Sequence, residues 1–191
     1  KQKLEEVPKV GLSEILQVCS LERIQRMTRM ILSPPEILCA KLLAITRQSM
    51  KFGTRTSNAR VSTKDDVQVN YEGALGEVAV SKLLNLDLQA EGYTKGDGGI
   101  DMVCGSTSID VKWSTTGELY FNKPMVADIA VMTAPGTDYY VVNIMGWIEK
   151  AEFNRRSFSQ QYGGYKPVKA VRVDQLRKPD TLEKWIKKQK N

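Results

Sequence analysis

The dipeptide Gly105-Ser106 constrains this chain more than any other pair of residues. It lies between two short β-forming runs, Asp101-Met-Val-Cys104 and Thr107-Ser-Ile-Asp-Val-Lys112. Glycine at the first central position of a two-residue loop permits a type II′ turn, whose twist matches that of paired strands. With that turn Cys104 pairs with Thr107, and counting outward sets Asp101 opposite Asp110. Side chains alternate faces along a strand, so Lys112 shares the face of Asp110 and Val111 points the other way. Two directly opposed carboxylates repel. A divalent cation with hard oxygen ligands relieves that repulsion, and Lys112 then stands ready to hold a water or a phosphate oxygen. A four-residue loop, Gly105 to Ser108, gives a second register, with Asp101 opposite Lys112 in an ordinary surface ion pair. The sequence leaves both registers open.

The rest of the composition narrows the chemistry. The chain has no histidine, which excludes a Ser-His-Asp triad, a Cys-His pair and a histidine general base. Carboxylates, lysines, hydroxyls and a metal remain. Cys19, Cys39 and Cys104 are odd in number and widely scattered. They offer no zinc-ligand spacing and read as small buried apolar residues in a reducing compartment. No apolar run approaches the roughly 18 residues of a membrane span, and Lys1-Gln-Lys-Leu-Glu-Glu carries no apolar signal region. The expectation is a cytoplasmic protein without a membrane partner. At 191 residues with 41% hydrophobic content, the chain can build one domain with a core, or a domain with a small helical appendage.

Charge is unevenly spread. Residues 1–60 hold 11 Lys/Arg against 5 Asp/Glu, residues 61–150 hold 6 against 13, and residues 151–191 hold 11 against 4. An acidic centre that contains the hairpin thus lies between two basic flanks. That pattern suits a cation site within a surface that attracts a polyanion. Solvated helical faces account for either flank taken alone.

Residues 12–32 carry apolar residues at helical spacing, and Ser33-Pro-Pro-Glu36 reads as the start of a second helix running to about Met50. These two form either a helix-turn-helix or a helical hairpin packed on the main domain, and nothing marks a recognition helix. Residues 1–50 are therefore read as a helical extension and 51–69 as a polar linker, in which Lys51, Arg55, Arg60 and Lys64 can reach phosphates. Asn70 is placed to cap a helix from Tyr71 to about Leu86. Glu77 lies among small and apolar neighbours on it, whereas Glu72 in the first turn is explained by the helix dipole. Strands are expected at 118–121, 128–133, 139–148 and 168–173, with a short helix and a Gly/Tyr loop within 151–167. Asp180-Thr-Leu-Glu183 reads as a capping box for a last helix bearing Lys184, Lys187 and Lys188.

An acidic residue on a helix, then Asp on one strand, then Asp-x-Lys on the next, resembles the PD-(D/E)xK nuclease superfamily. The matching residues are Glu77 in Gly73-Ala-Leu-Gly-Glu77, Asp101 in Gly99-Ile-Asp101, and Asp110-Val111-Lys112. Gly146-Trp147-Ile148, followed by a Glu/Phe-bearing helix, is similar to phage-encoded members. The resemblance spans roughly residues 70–148. Ile100 stands where the motif's name has Pro, and the gap between the two acids is short.

The resemblance implies an α/β fold, with a mixed central sheet flanked by helices as in restriction endonucleases, making up residues 70–191. It implies hydrolysis of phosphodiester bonds with Mg²⁺ or Mn²⁺, held by Asp101, Asp110 and the Val111 carbonyl, with Glu77 completing the site. Lys112 would orient the attacking water or neutralise charge on the phosphate. Ser114 is a further candidate phosphate contact, and Asp97 reads as a plain turn residue. The partner implied is nucleic acid, DNA ahead of RNA, in the host cytoplasm if the chain is phage-encoded. A homodimer stays open. So does a catalytically inactive nucleic-acid- or protein-binding module on the same fold.

Overall fold

The computed structural model describes residues 27–51, 65–88, 99–162 and 166–189. Its centre is a five-stranded sheet built from β1 (Thr28–Ile31), β2 (Met102–Cys104), β3 (Thr107–Trp113), β5 (Ile129–Pro135) and β6 (Val141–Glu149), in the order β1-β6-β5-β3-β2. β3 and β5 run parallel, and every other pair in this sheet is antiparallel. β4 (Glu118–Phe121), β7 (Phe158–Gln160) and β8 (Val168–Arg172) form a second, three-stranded sheet ordered β4-β8-β7. The helices are α1 (Pro34–Lys51), α2 (Asp66–Leu84), α3 (Lys150–Arg156) and α4 (Leu182–Gln189). The molecule is a mixed α/β protein, a mixed sheet flanked by helices.

Alternation along the strands sorts the core into layers. Ile109 and Val111 of β3 join Ile129 and Val131 of β5 in one cluster, closed by Val80 of α2 and by Leu182 and Ile186 of α4. The opposite face carries Ala130 and Met132 of β5, which pack on Leu119 and Phe121 of β4, Val171 of β8 and Phe153 of α3. A third cluster sets Ile37, Ala40 and Leu43 of α1 against Ala74, Leu75 and Val78 of α2. Full burial of one such aliphatic side chain stabilises by roughly 1.5–3 kcal/mol.

The hairpin register is the one the two-residue turn dictates. Cys104 pairs with Thr107, Val103 with Ser108 and Met102 with Ile109. Gly105 takes φ 62° while Ser106 keeps a negative φ, as a type II′ turn requires. The four-residue loop, and with it the Asp101–Lys112 surface pair, is excluded.

Several expectations need correction. Thr28–Ile31 form a strand paired with Val141–Ile144, not the end of a helix, and the remainder of the expected first helix lies outside the described residues. Residues 28–50 are built into the domain through β1 and α1 rather than appended to it. α2 starts at Asp66, with the Asp65 carboxylate accepting from the Gln68 N–H at 2.7 Å. Asn70 is thus no cap: its amide donates to Gln48 of α1. Residues 66–69 are helix rather than linker. β7 was not legible, and α4 is entered through a 3₁₀ turn at Pro179–Thr181 in place of an Asp180 capping box. Cys104 is buried as expected but Cys39 is exposed, and Cys19 lies outside the described residues. Ser33 behaves as the sequence suggests, its N–H and hydroxyl both donating to Glu36 at the start of α1.

Two predictions follow from packing and charge. A Cβ on Gly146 would lie 2.7 Å from the Arg177 carbonyl oxygen and 2.7 Å from the Leu176 Cβ. Gly146→Ala should therefore cost about 1–3 kcal/mol, lowering the melting temperature by about 2–4 °C per kcal/mol; an unchanged melting curve would contradict this packing. The Asp128 carboxylate accepts from the Ser108 hydroxyl at 2.6 Å and from its backbone N–H at 2.8 Å. Those bonds hold its carboxyl below the ordinary carboxylate range, the hydroxyl contributing most. The resulting stability is present above the ordinary range and is lost as pH falls through the lowered value. The stability advantage of the parent over Asp128→Asn should shrink in acid; a constant difference from neutral to strongly acid solution would contradict it.

Candidate functional site

β2 ends because Asp101 takes over the ladder. Its backbone N–H still donates to the Ile109 carbonyl at 2.8 Å, but the next donor, the Val111 N–H, is met by the Asp101 side chain at 2.6 Å. A carboxylate accepting a backbone N–H makes a short, charge-assisted bond. This bond pins Asp101 beside β3 and leaves it 3% exposed. Asp110, the next residue outward in register, is 2% exposed. Strand pairing sets it beside Ala130 and sets Lys112 beside Met132, on the face that meets the second sheet.

Lys112 donates to the Asp110 carboxylate. Its ammonium lies 5.4 Å from the centre of the Phe121 ring, and its side chain is 36% exposed. The lysine therefore reaches from solvent along the seam between the sheets to a carboxylate that water barely touches. Gly99 closes the other side: a Cβ built on it would come 3.8 Å from Asp110 Oδ2 and 3.9 Å from Val126. A carboxylate has about four lone-pair sites, so one donor does not exhaust it.

Glu77 is the third acid of the motif. It is buried on α2, where both of its oxygens accept from the Arg47 guanidinium of α1, at 2.6 and 2.7 Å. Its neighbour Gly76 packs on Val111 and Thr133, the face of β3 opposite Asp110. Among the described residues no three His, Cys, Asp or Glu side chains converge as a metal-binding group. Asp101 and Asp110 are held at the hairpin by the Val111 N–H and Lys112, and Glu77 by Arg47. Arg47 escaped the sequence reading, since nothing in a separation of 30 residues marks a partner for Glu77.

The other candidates divide as follows. Ser114 is 5% exposed and shares a hydrogen bond with the Thr116 hydroxyl at 3.2 Å at the end of β3. Lys184, Lys187 and Lys188 are exposed along α4, with Lys187 3.9 Å from Glu183. Lys51 is the last residue of α1. Asp97, Arg55, Arg60 and Lys64 lie outside the described residues. A groove of about 540 Å³ runs between the hairpin turn and α4, lined by Thr107, Asp128, Lys150 and Trp185. It sits at the start of β3, away from Lys112. No family model, characterised protein or solved structure matches this chain.

The Arg47–Glu77 pair generates a prediction. Glu77 is 5% and Arg47 22% exposed. Losing one partner of a buried pair leaves an uncompensated charge and costs about 3–5 kcal/mol; the exposure of Arg47 argues for the lower end. Arg47→Ala should lower the melting temperature, and adding Glu77→Gln should recover part of the loss. A single mutant that melts with the parent would show that the pair carries no stability.

Proposed function

We propose that this chain is a divalent-cation-dependent nuclease, with Asp101, Asp110 and Lys112 as its working residues. One observation carries the reading: two buried carboxylates at the open end of the β2–β3 hairpin, Asp101 accepting from the Val111 N–H and Asp110 from Lys112. Both carboxylates are held where water barely reaches. A buried carboxylate is costly unless it is paired, hydrogen-bonded or coordinates a metal. The donor set fits Mg²⁺ or Mn²⁺, since Mg²⁺ is commonly held by one or two protein carboxylates, with waters and substrate phosphates filling its other positions. The motif order adds the resemblance to the PD-(D/E)xK superfamily, and the mixed sheet flanked by helices is compatible with it.

In this reading Asp101 and Asp110 would hold the cation, aided by the Val111 carbonyl. When bound, the cation would polarise a phosphoryl oxygen and lower the pKa of water. The Val111 N–H fixes the Asp101 carboxylate in place beforehand. Lys112 meets a phosphate that approaches along the seam and offsets the negative charge that builds on its oxygens as the bond to the attacking water forms. Phe121 beneath its ammonium restricts where that charge can go. Glu77, bound to Arg47, ties α2 to α1 behind β3. The basic flanks supply non-specific attraction for a polyanion.

The experiment is cleavage of plasmid and single-stranded DNA by the full chain with Mg²⁺, with Mn²⁺ and with chelator. Asp110→Asn and Lys112→Ala should each lower the rate by two orders of magnitude or more, as expected for groups that act on transition-state charge, while leaving the circular dichroism spectrum unchanged. Cleavage that survives chelator, or that either mutant performs at the parental rate, would remove this assignment.

A further inference from the structure

The outer face of the small sheet is unusual for a surface. Register places Leu119, Phe121 and Val171 inward and Glu118, Tyr120, Phe158, Ala170 and Arg172 outward. Tyr120 on β4 and Phe158 on β7 both pair with the same residue, Ala170 of the central strand. Two rings thus flank one small side chain, and a third joins them. Tyr162, just beyond β7, packs on Tyr120 with ring centres 5.2 Å apart. Ala170 is fully covered, while the three rings stay half-exposed.

The platform is held rigid by polar contacts. The Tyr162 hydroxyl donates to the Glu118 carboxylate. Burial pushes that hydroxyl's pKa up, and Glu118 pushes it further, so it remains a neutral donor. β8 carries two exposed cations, Lys169 and Arg172, beside the carboxylates of Glu118 and Asp174. Arg172 itself is 65% exposed, and its 3.6 Å contact with the equally open Asp174 is of the kind that water and salt weaken.

Aromatic rings on a sheet whose strand carries exposed cations match one polymer best. Base faces are buried in the stack of a duplex but are available in a single strand, where stacking on a protein ring is worth about 1–3 kcal/mol per base. We propose that this face binds single-stranded nucleic acid, with bases on Tyr120, Phe158 and Tyr162 and a phosphate on Arg172. The proposal rests on the nuclease reading for its purpose and names the form of that site's substrate. The two places are neighbours: Lys112 sits over Phe121 on one side of β4 and Tyr120 lies on the other.

The test is fluorescence anisotropy of the full chain in chelator, with labelled oligothymidylate, oligouridylate and a duplex of equal length. Either single strand should bind at least about tenfold more tightly than the duplex. Tyr120→Leu and Phe158→Leu should each weaken single-strand binding about tenfold, while Tyr162→Phe, which keeps its ring, should retain it. Arg172→Gln should reduce the salt slope by about 0.7. This variant changes an open side chain, so it reads the proposal even where a leucine variant fails to fold. Duplex binding as tight as single-strand binding overturns the proposal. So do folded ring variants that bind like the parent, or a salt slope that Arg172→Gln leaves unchanged. Ring-dependent binding by a chain that cuts nothing in Mg²⁺ would uphold this inference and remove the nuclease reading. Asp110-dependent cleavage with ring-independent binding would do the reverse.

Discussion

Everything at the candidate site depends on the register of β2 against β3. A slip of one residue would turn Asp110 and Lys112 into the apolar layer under α2 and Val111 out to the second sheet. The turn at Gly105-Ser106 and the burial of Met102, Cys104 and Ile109 forbid that slip. The same hairpin brings two buried carboxylates to its open end, Asp101 on the Val111 N–H and Asp110 on Lys112. Lys112 can offset one carboxylate, and the Val111 N–H lowers the cost of the other without adding charge.

The rest of the fold serves to hold that hairpin. β5 runs parallel to β3, and the bonds between Asp128 and Ser108 lock where the pair starts. Gly76 lets α2 come down on Val111, and the Arg47–Glu77 pair ties α1 to α2 behind it. The second sheet closes the opposite side, with Phe121 beneath the lysine. Glu77 therefore illustrates how an acid in a motif position can be claimed by an arginine from an element the motif does not include.

What was legible in the sequence was local. The hairpin could be counted from its turn, Ser33 and Glu36 announced α1, and the runs of β-formers gave β4, β5, β6 and β8. What was missed depends on partners far away in the chain. Thr28–Ile31 carry no strong β signal, and they extend because Val141–Ile144 offer them an edge. β7 is three residues long and owes its form to β8. Asp65 outcompetes Asn70 as a cap because α2 begins a turn earlier, where Gln68 presents its N–H. At the site, the two-residue turn and the shared face of Asp110 and Lys112 were readable, since alternation is geometry. The pairing of Glu77 and the burial of Ser114 were not.

The central claim is that Asp101 and Asp110 together bind a divalent cation, and thermal unfolding with and without Mn²⁺ tests it most directly. Binding to the folded state alone stabilises by about 2.7 kcal/mol at a hundredfold excess over Kd, or some 2–4 °C for each kcal/mol. The parent should therefore melt several degrees higher with Mn²⁺ than in chelator, and Asp110→Asn, nearly identical in shape, should melt at the same temperature in both. A parent indifferent to the cation, or a mutant that gains as much as the parent, would contradict the claim.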